Sequence, residues 1–210
     1  MTGDDGVDVD SLSNQPSPFR TFDESYDATP PWEIGRPQPA LAGLFAAGEV
    51  TGSVLDTGCG TGELTLFAAS RGLPATGVDS SPKAIAIARA RAAARDIQGA
   101  RFEVGDALDL SFLGATFDTV LDSGVLHVFD DRERARYVAS IRSVLIAGGR
   151  YHLLVFSDAQ PGTWGPRRIR REEFDDIFAD GWQLLRVEPA EFELTQGAAR
   201  AWQATAERTR

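Results

Sequence analysis

The stretch DTGCGTGE, Asp56 to Glu63, decides the fold. It follows the apolar pair Val54-Leu55 and precedes LTLFAA, Leu64 to Ala69, so it reads as a glycine-rich turn between a strand and a helix. Such a turn usually seats a phosphate on the helix N-terminus. Here it opens with a carboxylate, and its glycines, Gly58, Gly60 and Gly62, run G-x-G-x-G, a spacing that fits the dinucleotide fingerprint G-x-G-x-x-G badly.

Outward from this turn, apolar runs alternate with helical patterns. Strands are predicted at Ser53 to Leu55, Thr76 to Val78, Arg101 to Val104, Thr119 to Leu121 and Tyr151 to Phe156, with helices between most of them. That alternation predicts an α/β fold, a mostly parallel sheet with helices on both faces. Ser80-Ser81-Pro82 ahead of KAIAIARARAAAR supplies a hydroxyl N-cap and a proline at the first helical position. A helix from about Asp131 to Leu145 carries Val138, Ile141, Val144 and Leu145 on one face and is expected to stop at Gly148-Gly149. Trp182 to Val187 and Ala201 to Glu207 read as an antiparallel edge pair, the second open to a helical alternative.

Residues 1–20 are polar, acidic and Pro/Ser-containing, the composition of a mobile tail, and residues 21–210 are expected to form one domain. Within it, YDATPPWEIGRPQPAL has neither helical nor alternating periodicity, and residues 21–45 read as a stiff covering segment. No run approaches the ~20 apolar residues of a membrane span and the N-terminus lacks signal-peptide features, so a cytoplasmic protein is expected. A single cysteine and two histidines make no metal site. The formal net charge of −10 argues against a nucleic-acid surface, and the arginines at 89, 91 and 95 and at 167, 168, 170 and 171 read as solvated charge.

Asp56, Asp79, Asp106 and Asp122 each stand at the end of one of the first four strands, so one crevice at the carboxyl edge receives four carboxylates. A carboxylate in the glycine turn repels a diphosphate and suits an ammonium group. S-adenosylmethionine is such a ligand: its methionine end is zwitterionic, its centre is a sulfonium and it has no phosphate. Asp79 follows Gly58 by 21 residues, the offset of an acid that accepts from ribose hydroxyls, though dinucleotide folds share that geometry. Asp106 can accept from an adenine amino group, with the Ala107 N–H free for a ring nitrogen.

At this point the chain resembles the class I S-adenosylmethionine-dependent methyltransferases. VLDTGCGTGE, GVDSSPKAI, VGDAL, FDTVLDSGVLHVF and LIAGGRYHLLVFSD match the family's motifs in order, between about residues 26 and 188. The resemblance implies a Rossmann-like seven-stranded sheet ending in an antiparallel hairpin. It assigns Asp56, Gly58, Gly60 and Gly62 to the methionine end, Asp79 to the ribose and Asp106 to the adenine, with Thr61, Leu64, Ser80 and Ala107 as further cofactor contacts.

The fourth motif reads Asp122-Ser123-Gly124-Val125, without the Pro-Pro-aromatic run of relatives that methylate adenine or glutamine amides. PPWEIGRPQPAL, DSGVLHVFDDRERARYVASI and FSDAQPGTWGPRRI resemble bacterial heterocyclic toxin methyltransferases and the thiopurine and thiol methyltransferases. That likeness implies methylation of a small aromatic heterocycle, phenol or thiol, as in detoxification; the oligomeric state does not follow from the sequence, a monomer being slightly favoured. It makes Trp32, Gly35 and Gln38 cofactor contacts and Tyr26, Trp32, Phe129, Phe156 and Trp164 acceptor walls, Trp32 being alternatively a loop anchor. His127 is either a general base or a wall residue, and Asp122 either a base or an orienter of the ammonium; His152 is structural. Cys59 reads as a small residue tolerated against the cofactor, not a nucleophile. A nicotinamide-dependent oxidoreductase, a cofactor-binding sensor without turnover, and a nucleic-acid methyltransferase are the competing classes.

Overall fold

A computed structural model of the chain describes residues 22–209. The expected mobile tail, 1–20, lies outside them. Two helices, α1 (Phe22–Ser25) and α2 (Pro39–Ala46), precede the sheet. The rest runs β1 (Val54–Thr57), α3 (Glu63–Ser70), β2 (Ala75–Asp79), α4 (Pro82–Ala94), β3 (Ala100–Val104), β4 (Phe117–Ser123), α5 (Asp131–Val144), β5 (Leu145–Phe156), α6 (Glu173–Ile177), β6 (Trp182–Glu193) and β7 (Ala198–Arg208). The seven strands lie in the order β3-β2-β1-β4-β5-β7-β6. The first five are parallel and the last two antiparallel, so both C-terminal segments are strands.

Strand alternation divides the core between two faces. Leu55, Val120, Tyr151 and Leu153 pack toward α5, whose Tyr137, Val138, Ile141 and Val144 are buried with them. Val54, Leu121 and Leu154 pack on the other face against Leu41 and Leu44 of α2 and Leu64 and Ala68 of α3. Each large side chain so buried contributes about 1.5–3 kcal/mol, which holds the loops at the carboxyl edge on a rigid floor.

Local signals set the helix starts. The Ser81 hydroxyl accepts from Ala84 N–H with Pro82 at the first position, and Asp130 and Glu133 close a reciprocal capping box on α5. One expected boundary moves: α5 ends at Val144, and Leu145, extended and fully buried, pairs with Phe117 to begin β5 directly. Gly148 and Gly149 thus fall inside the strand, where the register with β4 shifts and Gly148 takes a positive φ of 77°.

Candidate active site

The glycine turn after β1 forms the floor. Gly58, Gly60 and Gly62 all have positive φ, and Gly62 starts α3 without a side-chain cap. A Cβ at Gly62 would lie within 2.9 Å of Phe102 and Ala88, so this glycine permits the close seating of α3 on α4 and β3. Asp56 is buried, its Oδ2 accepting from Thr65 Oγ1 at 2.6 Å. Burial pushes its carboxyl up to about 7 against the pull of the Thr65 hydrogen bonds, and the negative charges of Asp79 and Asp122 add to the rise. Asp79 accepts from Gly60 N–H and Ser81 N–H, both at 2.8 Å, and burial raises it too. Each of its oxygens keeps a second lone pair.

The covering segment is clasped from two sides. On the helix side, Asp23 Oδ1 accepts from Ser81 Oγ and Lys83 N–H, capping α4 from outside. Glu33 accepts from Thr61 Oγ1 and from Arg91, which also reaches Glu63 at 2.9 Å. On the strand side, Gln38 and the Glu193 backbone bond each other in both directions, Arg36 pairs with the Glu193 carboxylate, and Thr195 N–H donates to Pro31 O. The polar fasteners of this segment come from residues far away in the chain.

Between segment and turn lies a cleft of about 70 Å³ lined by Tyr26, Trp32, Glu33–Ile34, Arg36–Gln38, Asp56, the glycine turn, Glu63, Leu64, Ser123 and Phe192. Of the charged groups in the lining, Glu33 and Glu63 are already paired with Arg91 and Arg36 with Glu193, which leaves Asp56 as the carboxylate placed to meet the ammonium of S-adenosylmethionine. Of the sequence candidates, Tyr26, Trp32, Gln38, Asp56, Gly58, Gly60, Thr61 and Leu64 meet here. Gly35 turns the segment at φ +70°, its N–H donating to Glu33. Asp79, Ser80, Asp106 and Ala107 sit farther along the edge, where Asp106 is exposed and accepts from Leu108 N–H.

The acceptor-side expectations need revision. His127 is buried; its Nδ1 accepts from Phe156 N–H at 2.9 Å, which leaves the proton on Nε2. Burial, with the charge of Arg168, drives its pKa down to about 3. It packs on Phe156 and Phe192 with ring centres 5.1 and 6.1 Å away, a wall residue with no lone pair free to take a proton. Asp122 does not face the cleft as a base: its carboxylate accepts from Val125 N–H, Leu126 N–H and the hydroxyls of Tyr137 and Tyr151. Phe129 is half-buried, packs on Tyr137 beside the α5 core and does not line the cleft. Phe156 and Trp164 form a second layer behind Phe192. Cys59 is a protonated thiol, pushed well up by desolvation and by Asp56 and Asp79.

Sequence reasoning passed over Glu33, Arg36, Glu63 and Phe192, and it read Arg91 as solvated charge, whereas Arg91 is half-buried and bonded to Glu33, Thr61 and Glu63. Glu33 and Arg36 stand inside the quoted PPWEIGRPQPAL, but their partners are dozens to more than a hundred residues away; Phe192 lies in an edge strand where an apolar residue signals nothing more than the sheet face.

Residues 54–149 match the family described as a methyltransferase domain. The chain is 36% identical over 169 residues to the 2-heptyl-1-hydroxyquinolin-4(1H)-one methyltransferase of Mycobacteroides abscessus, covering 80% of this chain and 74% of that one. It superposes with a TM-score of 0.80, at 36% identity and over 89% of each chain, on a structure described under the conversion of a disulfide bond into a thioacetal group during echinomycin biosynthesis. A 1,6-didemethyltoxoflavin-N1-methyltransferase of Burkholderia thailandensis, solved with that compound and S-adenosylhomocysteine, is 26% identical with a TM-score of 0.65, over 82% of this chain and 77% of that one. Among the described residues no helix is long and apolar enough to cross a membrane.

Proposed function

Because the chain belongs to the S-adenosylmethionine-dependent methyltransferases, we propose that it methylates a small aromatic heterocycle on a ring nitrogen, or on an oxygen or sulfur that is already ionised. When bound, the cofactor supplies a methyl group on a cationic sulfonium. Asp56 and the glycine turn hold its methionine end, Asp79 and Ser80 its ribose, and Asp106 and Ala107 its adenine. Gln38 and Thr61 border the same cleft. Trp32 and Phe192 flank the acceptor, with His127, Phe156 and Trp164 stiffening the wall behind.

The observation that carries this reading is that both side chains best placed to take a proton are already engaged, behind an aromatic wall. His127 spends its lone pair on Phe156 N–H, and Asp122, with no exposed surface, accepts from four donors, three on Oδ2 and one on Oδ1. What remains for the protein to supply is alignment at attack distance, which is worth roughly 7–11 kcal/mol. A pyridine-type nitrogen needs no base, and an acidic heteroaryl hydroxyl or thiol arrives ionised. The hydroxyquinolone and didemethyltoxoflavin relatives support a heterocyclic acceptor.

The test is S-adenosylhomocysteine formation, read by mass spectrometry, from S-adenosylmethionine with pooled nitrogen heterocycles, N-hydroxyquinolones, aryl thiols of graded acidity, and RNA. Product from the heterocycle or acidic-thiol pools is expected. Product from RNA alone, or only from weakly acidic phenols that need a base, would overturn the acceptor assignment.

A further inference from the structure

We infer that Tyr137, remote from the cleft lining, is a positioning residue for the cofactor site: its hydroxyl joins the side chains of Thr57 and Asp122, register partners at the ends of β1 and β4, and steadies the glycine turn against the turn that follows β4.

The tie is built from buried polar groups. Tyr137 on α5 has no exposed surface; its hydroxyl lies 2.9 Å from Asp122 Oδ2 and 2.6 Å from Thr57 Oγ1. With Tyr137 donating to the carboxylate, Thr57 supplies the proton of the 2.6 Å contact, and Thr57 Oγ1 also lies 3.1 Å from Leu121 O. Thr57 is the last residue of β1, next to Gly58. On the other side, Asp122 grips the turn after β4 through Val125 N–H at 2.7 Å and Leu126 N–H at 3.1 Å. These two turns touch: a Cβ at Gly58 would collide with Val125 Cγ2. β1 and β4 are already paired here with Thr57 opposite Asp122, so the Thr57–Tyr137–Asp122 bridge adds a side-chain tether beneath the backbone ladder and steadies Val125 against Gly58, next to Ser123 of the cleft lining.

Tyr151 provides the control. It donates to the same Asp122 oxygen at 2.7 Å and is equally buried, but it does not reach Thr57. If the carboxylate only needed donors, the two tyrosines would be equivalent. Of the two tyrosines, only Tyr137 reaches both the Thr57 and the Asp122 side chains. Networks of this kind restrain geometry when every member is satisfied.

The inference rests on the glycine turn being the cofactor's seat, so the experiment reads cofactor affinity directly. S-adenosylhomocysteine titrations by calorimetry, with Tm measured in parallel, compare wild type with Tyr137→Phe, Tyr151→Phe, Thr57→Val, Thr57→Ser and the Tyr137→Phe/Thr57→Val pair. Tyr137→Phe and Thr57→Val are each expected to weaken binding about tenfold, the net worth of one buried hydrogen bond. The double variant should be no weaker than the worse single one, and Thr57→Ser should bind as wild type does. Tyr151→Phe should lower Tm as much as Tyr137→Phe while leaving Kd within about twofold. Equal losses of affinity in both tyrosine variants, additive losses in the pair, or an unchanged Kd in Tyr137→Phe would overturn the positioning role. Should Tyr137→Phe not fold, the Thr57→Val and Thr57→Ser contrast reads the same bridge from its other end. A wild-type chain that does not bind S-adenosylhomocysteine would instead strike at the cofactor reading itself.

Discussion

The phenol of Tyr26 lies over Gly60: its oxygen is 2.9 Å from where a Cβ on that glycine would stand. The hydroxyl accepts from Trp32 Nε1 at 3.3 Å, so two aromatics of the covering segment are locked together above the glycine turn. Burial raises the Tyr26 phenol, and the nearby charge of Asp79 adds to the rise. Gly60 itself holds φ +53°.

The Gly60→Ala variant therefore meets two obstacles. An alanine in this left-handed conformation costs about 1–2 kcal/mol, and its methyl occupies the approach between Tyr26 and the turn. S-adenosylhomocysteine affinity should fall by at least about tenfold. A Gly60→Ala protein that binds within twofold of wild type would contradict the close approach over this residue.

A cleft of about 70 Å³ is far smaller than the roughly 300 Å³ at which ligand pockets begin, so residues 22–38 are predicted to lift as the cofactor enters. Arg91 is the centre of the helix-side clasp, bonded to Glu33, Thr61 and Glu63. In Arg91→Met, stopped-flow fluorescence of the tryptophan in this segment should show faster association and release of S-adenosylhomocysteine. Charged hydrogen bonds of this kind are worth about 1.5–3 kcal/mol, so release should quicken by roughly tenfold or more. Unchanged rates would mean that the segment does not open on this side.

Asp56 makes a pH-dependent prediction. Its folded-state pKa of about 7 lies above the ordinary 3.8. Through that window the native protein holds a proton that the unfolded chain has released. The associated stability is complete below the unfolded value and is lost as pH rises to 7, by about 1.4 kcal/mol per unit. Relative to Asp56→Asn, the ligand-free wild type should lose stability from pH 4 to 7, which chemical denaturation at several pH values will read. Asp79 and Asp122 are raised as well, and the difference between the two proteins isolates Asp56. Because the ammonium of the cofactor favours the ionised carboxylate, binding should release a proton below pH 7, visible as a buffer-dependent enthalpy. A pH-independent difference in stability would disprove the assignment.

His127→Asn keeps an acceptor near Phe156 N–H while removing the imidazole. If His127 is a wall, kcat falls by less than tenfold and the pH profile keeps its shape. Loss of a general base would cost about 10²- to 10⁴-fold, and a drop of that size would reinstate it as catalytic.

What could be read from the chain alone follows a physical divide. The turn after β1, the serine-proline start of α4 and the strand-end aspartates are local: a few adjacent residues determine a backbone conformation, and the order of motifs then fixes the sheet. Asp122 shows the limit. Its position at the end of β4 was legible, but its direction depended on Tyr137 and Tyr151, 15 and 29 residues on, which claim its carboxylate from the other face. Phe192 and the Glu33–Arg91 contact were hidden for the same reason, because pairs brought together by tertiary packing leave no periodicity in sequence. Gly148-Gly149 misled differently: glycine pairs stop helices more often than they bulge strands, and here the buried, extended Leu145 had already ended α5.

The strand-side clasp on the covering segment ties early residues to very late ones. Gln38 bonds Glu193, 155 positions away, and Pro31 accepts from Thr195. During synthesis the first four parallel strands are all in hand once Ser123 has appeared, yet the segment that roofs the cleft has no strand to dock on until the β6–β7 hairpin emerges. A nascent chain therefore holds the partners of the helix-side clasp early, and the roof is fastened on both sides only once the β6–β7 hairpin has emerged.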